Sequence, residues 1–164
     1  MSLGARLVDS YENAGSVSSL VLTGMDSTYK FYEVYGWIDP AGSDNRFRLQ
    51  ESGTSNTNSV YGRRIYHSNF RYGNGFSVQN ADAYGFRIQH YQGGDMNIHL
   101  QIFNSQVATT HTQIIGRYVG QYGGGSQSTI CHFNFKNDSV VDGLEFFEVG
   151  GATLNGYLYL YGYK

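Results

Sequence analysis

The residues with the chemistry to make a site are few and scattered. The histidines are His67, His90, His99, His111 and His132, and no two share one segment at metal-ligand spacing. They are expected to face solvent or to hydrogen-bond, and neither a metal nor any other cofactor is expected. Cys131, the single cysteine, excludes an intrachain disulfide and a thiolate zinc cluster. It alternates with Phe133, which reads as a buried, inert thiol. On a strand Glu145 and Glu148 would point to opposite faces, so they make no acid–base pair. Glu33 lies between Phe31 and Tyr35 on one strand face, a lone carboxylate among aromatics. A glycosidase needs two opposed carboxylates. Glu33 is therefore expected to be structural, held in an ion pair with an arginine.

Nucleotide and hydrolase motifs are missing: there is no Gly-x-x-x-x-Gly-Lys, Gly-x-Ser-x-Gly or His-Glu-x-x-His. Gly73-Asn74-Gly75 reads as a hairpin turn. Gly123-Gly124-Gly125 reads as a flexible turn, since no helical pattern follows to cradle a phosphate. Asn137-Asp138-Ser139 is formally a glycosylation sequon, without a secretion signal to give it meaning. Arginine outnumbers lysine 8 to 3, a bias that suits planar contacts at interfaces. The chain is expected not to be an enzyme.

Tyrosine is the informative residue. In Gly156–Tyr163, Leu158 and Leu160 share one face, while Tyr157, Tyr159, Tyr161 and Tyr163 share the other. Neither face is charged, so both call for a cover. One cover is the domain's own core. The other is a second part of the chain, another subunit or a stacked sugar, since tyrosine buries a large ring and keeps a hydroxyl at a wet boundary. The stripe Tyr157, Tyr159, Tyr161, Tyr163 is the candidate oligomer interface.

The elements that must hold these residues follow from composition and period. The chain has 164 residues, one domain's worth, with 16% aromatic and only 15% charged residues. That composition excludes disorder and a coiled coil. Net charge is -2 with no basic block, so no nucleic-acid partner is expected. No apolar run approaches the roughly 20 residues of a membrane helix, so no membrane partner is expected either. Met1 to Asp9 lacks the basic and apolar regions of a signal peptide, which places synthesis in a reducing cytosol.

Period-two alternation dominates. Met96, Ile98, Leu100 and Ile102 fall on one strand face, and Cys131, Phe133 and Phe135 on another. Further strands are read at Val17–Thr23, Tyr29–Ile38, Arg46–Gln50, Val60–His67, Gly85–Gln89, Thr112–Gln121, Gly143–Val149 and Gly156–Tyr163. About ten strands separated by turn signals predict an all-β, jelly-roll-like antiparallel sandwich. One domain, 1–164, is expected, with residues 1–15 a candidate N-terminal arm and Ser52–Ser59 an exposed loop. Ile98, Leu100, Phe133 and Leu158 are the expected inter-sheet core.

Two stretches carry a family likeness. The first runs Leu22-Thr23-Gly24-Met25-Asp26-Ser27-Thr28-Tyr29-Lys30-Phe31-Tyr32 into Gly36-Trp37-Ile38-Asp39-Pro40 and Phe47-Arg48-Leu49. The second runs Asp142-Gly143-Leu144-Glu145-Phe146, then Asn155-Gly156-Tyr157-Leu158-Tyr159-Leu160-Tyr161-Gly162. Together, in order from Leu22 to Tyr163, they resemble structural proteins of tailed bacteriophages, notably marine and cyanobacterial phages. The resemblance implies a jelly-roll-like sandwich in a virion, as a capsid decoration or cement protein or a tail component. It implies binding to the major capsid protein or tail proteins as a homo-oligomer, most readily a trimer on threefold capsid positions. It implies no catalytic residues. The other class left open is a carbohydrate-binding module, kept alive by the loops Asp39–Asn45 and Tyr72–Gly75.

Overall fold

The computed structural model describes residues 4–42, 44–57, 61–69, 73–79, 85–89, 95–122 and 125–164. These form an all-β, jelly-roll-like sandwich of two antiparallel sheets. The strands are β1 (Arg6–Val17), β2 (Ser19–Thr23), β3 (Phe31–Pro40), β4 (Asn45–Glu51), β5 (Thr54–Ser55), β6 (Tyr61–Asn69) and β7 (Gly73–Gln79). They continue with β8 (Phe86–Gln89), β9 (Met96–Phe103), β10 (Thr112–Tyr122), β11 (Gly125–Phe135), β12 (Gly143–Glu148) and β13 (Leu154–Tyr163). The large sheet has the order β1-β13-β3-β9-β10-β11-β6-β7, and the small sheet β2-β12-β4-β5 with β8 beside β4. Strands β1 to β4 alternate between the sheets. On the return, β12 enters between β2 and β4, and β13 between β1 and β3.

The ten strands read from alternation are present, and β1, β5 and β7 join them. Residues 1–15, the candidate arm, supply most of β1 from Arg6 onward, paired along β13. A register shift between Leu7 and Asp9 breaks the alternation there. The Asp9 carboxylate ties this edge to the small sheet, accepting from the Thr23 amide at 2.7 Å. The expected exposed loop Ser52–Ser59 is instead a tight turn at Ser52 and Gly53, both at positive φ, followed by β5 on β4 and by buried Asn56, with residues 58–59 outside the described residues. Gly73-Asn74-Gly75 is not the turn itself. It opens β7 opposite Asn69, Ser68 and His67, and the connection at 70–72 lies outside the described residues. Gly123 and Gly124 also lie outside them.

Between the sheets lies a continuous apolar core. Leu100, Phe133 and Leu158 are fully buried in it and Ile98 nearly so. Phe47 packs against Phe86, Phe133 and Phe146 at 5.0–5.6 Å between centroids. Each such ring contributes about 1.5–3 kcal/mol by leaving water. The turn after β2 is fastened to this core. The Tyr32 hydroxyl donates to the Asp26 carbonyl and accepts from the Asp26 amide, while the Asp26 carboxylate accepts from the Thr28 amide. Two glycines set the approach of β3 to β13. A Cβ on Gly36 would lie 2.1 Å from the Tyr157 carbonyl, and one on Gly156, at φ +152, would lie 2.2 Å from that of Trp37. Without them Trp37 and Tyr157 could not stand opposite each other.

Candidate functional site

The inward residues of the large sheet fill the core, so every second residue points away from the sandwich. Register then lays out the outer face in rows. One row reads Glu12, Tyr157, Trp37, Asn97, Val119 across β1, β13, β3, β9 and β10. The next reads Ser10, Tyr159, Tyr35, His99, Arg117 and, on β11, Ile130. The third reads Leu7, Tyr161, Glu33, Gln101, Ile115, His132, and the fourth Tyr163, Phe31, Phe103, Gln113, Asn134. The β13–β3 side is aromatic; the β10–β11 side mixes aliphatic Ile115, Val119 and Ile130 with Arg117, Gln113, His132 and Asn134. Of the nine large hydrophobics exposed among the described residues, six lie on this face: Leu7, Tyr35, Ile115, Val119, Ile130 and Tyr157.

The aromatic half stands as paired rings. Phe31 stacks on Tyr163 at 4.5 Å and Tyr35 on His99 at 4.3 Å, both nearly parallel. Trp37 lies against Tyr157 at 5.9 Å. At their centre is Glu33, only 7% exposed. Its Oε2 accepts from the hydroxyls of Tyr35, at 2.6 Å, and Tyr163, at 2.5 Å. Its Oε1 accepts from Gln101 Nε2 at 2.7 Å and faces His99 Nε2 at 3.5 Å. The expected arginine partner is absent from this set. Two phenols, an amide and an imidazole do its work, because register places these types beside Glu33. Burial pushes the carboxyl up, but the hydrogen bonds from Gln101, Tyr163 and Tyr35 outweigh it and hold Glu33 below the usual range. Burial and the bond to Glu33 push the Tyr35 hydroxyl up. The cluster is a carboxylate held by two phenols and an amide, with an imidazole alongside.

The tyrosine stripe belongs to this face, half covered by its own chain. Tyr159 donates to Glu12 Oε1 at 2.7 Å, Tyr163 is bound as above, and Tyr161 meets Tyr35 edge to face. Tyr157 keeps the largest exposure, 44%. The remaining polar candidates are apart from the cluster. Glu145 meets Ser55 and Arg48 on the small sheet, while buried Glu148 accepts from the amides of Asp44 and Ala152. Asn137 and Ser139 of the sequon both donate to Glu51 Oε1, a structural use. His132 pairs with Gln113, and His111 lies 3.7 Å from Asp138. The side chain of His67, and all of His90 and Tyr72, lie outside what is described. No group of three His, Cys, Asp or Glu suited to a metal occurs among the described residues.

Gln101, His99 and Tyr163 are the site residues that sequence reasoning did not attach to Glu33. Gln101 alternates with His99 on the polar face of its strand, which was the available signal. No family model matches the chain, and no curated protein does. Among solved structures, a marine PL-14 alginate lyase from Aplysia kurodai is similar at 11% sequence identity and a TM-score of 0.35, over 85% of this chain and 70% of that one. A likeness that slight carries no inference about activity.

Proposed function

We propose that the chain is a non-enzymatic structural protein of a tailed-phage virion, decorating the particle as an oligomer through the outer face of its large sheet. The observation that supports it is the set of exposed aliphatics on that face. Ile130 is 55%, Ile115 46% and Val119 39% exposed on β10 and β11, around Arg117, which register places opposite Ile130. Six of the nine large hydrophobics exposed among the described residues share this face, and such a concentration marks an interaction surface. Tyr159 and Tyr163 of the stripe are tied to Glu12 and Glu33, so the docking contact is assigned to the exposed aliphatics of β10 and β11, with Tyr157, itself 44% exposed, at the far side of the face. The non-enzymatic reading, the virion setting and the threefold symmetry rest on the family resemblance.

Two measurements test this. Mass spectrometry of purified particles should find the chain in fixed stoichiometry to the major capsid protein. Light scattering should give an oligomer for the purified protein and a shift toward monomer for Ile130→Asp. A monomer near 18.3 kDa at micromolar concentration would defeat the oligomer.

A further inference from the structure

We infer that the aromatic half of the outer face is a binding platform for a neutral, hydroxyl-rich glycan. Three tyrosine hydrogens on this face are already committed. A phenol has one hydrogen to donate and two lone pairs with which to accept. Tyr35 and Tyr163 give theirs to Glu33, and Tyr159 gives its to Glu12. Gln101 commits one amide hydrogen to Glu33 as well. These hydroxyls therefore offer acceptors to whatever settles above them. The fitting partner is rich in hydroxyl donors.

Charge narrows the class. The carboxylates that alternate outward along β1, β13 and β3 are Glu12, Glu33 and Asp39; His99 on β9 stacks on Tyr35 and faces Glu33, and the cation Arg117 stands beside it on β10. A uronate or sulfated sugar would meet like charge. A neutral sugar presents hydroxyls to the acceptors and none of that repulsion.

Rigidity supplies the rest. The rings brace one another in near-parallel pairs, and Glu33 locks two of them from below. Little side-chain freedom remains to be lost on binding. Preordered tyrosine and tryptophan give large contact area at low entropic cost. This platform is separate from the exposed aliphatics of β10 and β11, so the inference stands or falls apart from the virion reading.

Trp37, the single tryptophan of the chain, stands on the platform and is its natural reporter. Purified protein is applied to an array of neutral glycans built from hexoses, deoxyhexoses and N-acetylhexosamines, alongside alginate and polygalacturonate. The best neutral glycan is then titrated by Trp37 emission and calorimetry. Binding by at least one neutral glycan is expected, with a weaker response to the acidic polymers. Tyr35→Phe and Tyr163→Phe, each checked to be folded by cooperative thermal unfolding, should weaken it at least tenfold, and Ile130→Asp should not. If Tyr35→Phe fails to fold, Tyr163→Phe carries the test. No neutral glycan bound, tighter binding of the acidic polymers, or unchanged affinity in a folded hydroxyl-deletion variant would each overturn the inference.

Discussion

The two sheets turn opposite outer faces to their surroundings. On the small sheet, charge is closed upon itself. Both oxygens of Asp44 are held by Arg46 and Arg87, with contacts of 2.5–2.9 Å. Arg48 lies 3.8 Å from Glu145 and sits over the Phe147 ring. On the large sheet, rows of rings and aliphatic side chains surround a single buried carboxylate. Both faces obey the same alternation. They differ in whether the chain satisfies its own surface. A face whose charges find partners within the sheet has no need of another molecule, whereas bare apolar rows do.

The harshest way to break the contrast is to remove the core that holds both faces apart. Phe133→Ala should cost about 3–5 kcal/mol in chemical denaturation, and Leu100→Ala about 2–5. His99→Ala, next along the strand from Leu100 but on the outer face, should cost under about 1 kcal/mol. Equal losses at positions 99 and 100 would mean the assigned strand phase is wrong. Asp44→Ala attacks the small sheet's closure. It removes the carboxylate that Arg46 and Arg87 both hold and should cost about 2–4 kcal/mol, since the site is only partly buried. Glu33→Gln is the matching change on the large sheet. An amide nitrogen replaces one carboxylate oxygen, so either the two phenols on Oε2 or Gln101 on Oε1 lose an acceptor, for about 1–2 kcal/mol.

Acid titration sharpens the comparison. For Asp44, burial opposes ionisation, but the bonds and charge of Arg87 and Arg46 prevail and hold the carboxyl far below the usual range. Glu33 is lowered by its neutral donors. Both groups therefore add stability that is full above their unfolded values, 3.8 and 4.5, and drains as pH falls through the lower folded values. Urea midpoints measured downward from pH 5 should fall in wild type. They should fall less in Asp44→Ala, with Glu33→Gln between the two. The smallest stability effect belongs to Ile130→Asp, expected within about 0.5 kcal/mol, because its readout is association.

Much of this was legible in the residues. Alternation placed Ile98, Leu100, Phe133 and Leu158 inward, where they lie, because a strand face repeats every second residue whatever surrounds it. β1 was not legible, since its register shift interrupts the period and its inward residues include Asp9. β7 opens with glycines that read as a turn. The site was half legible. Glu33 stood out as a lone carboxylate, but its partners come from β9 and β13, 68 and 130 residues away in the case of Gln101 and Tyr163. Only the order of strands in the sheet decides which side chains meet at that separation. Local pattern holds no record of it.

The position of β13 between β1 and β3, and of β12 between β2 and β4, has a bearing on synthesis. The first four strands leave the ribosome early, yet each lacks a sheet neighbour until residues from Gly143 onward emerge. The nascent chain must wait with open edges, a state that favours slow closure and invites chaperones. Chains stalled before Gly143 should therefore stay sensitive to protease, and a protected sandwich at that length would show that the meander β9–β10–β11 can organise the fold without its final strands.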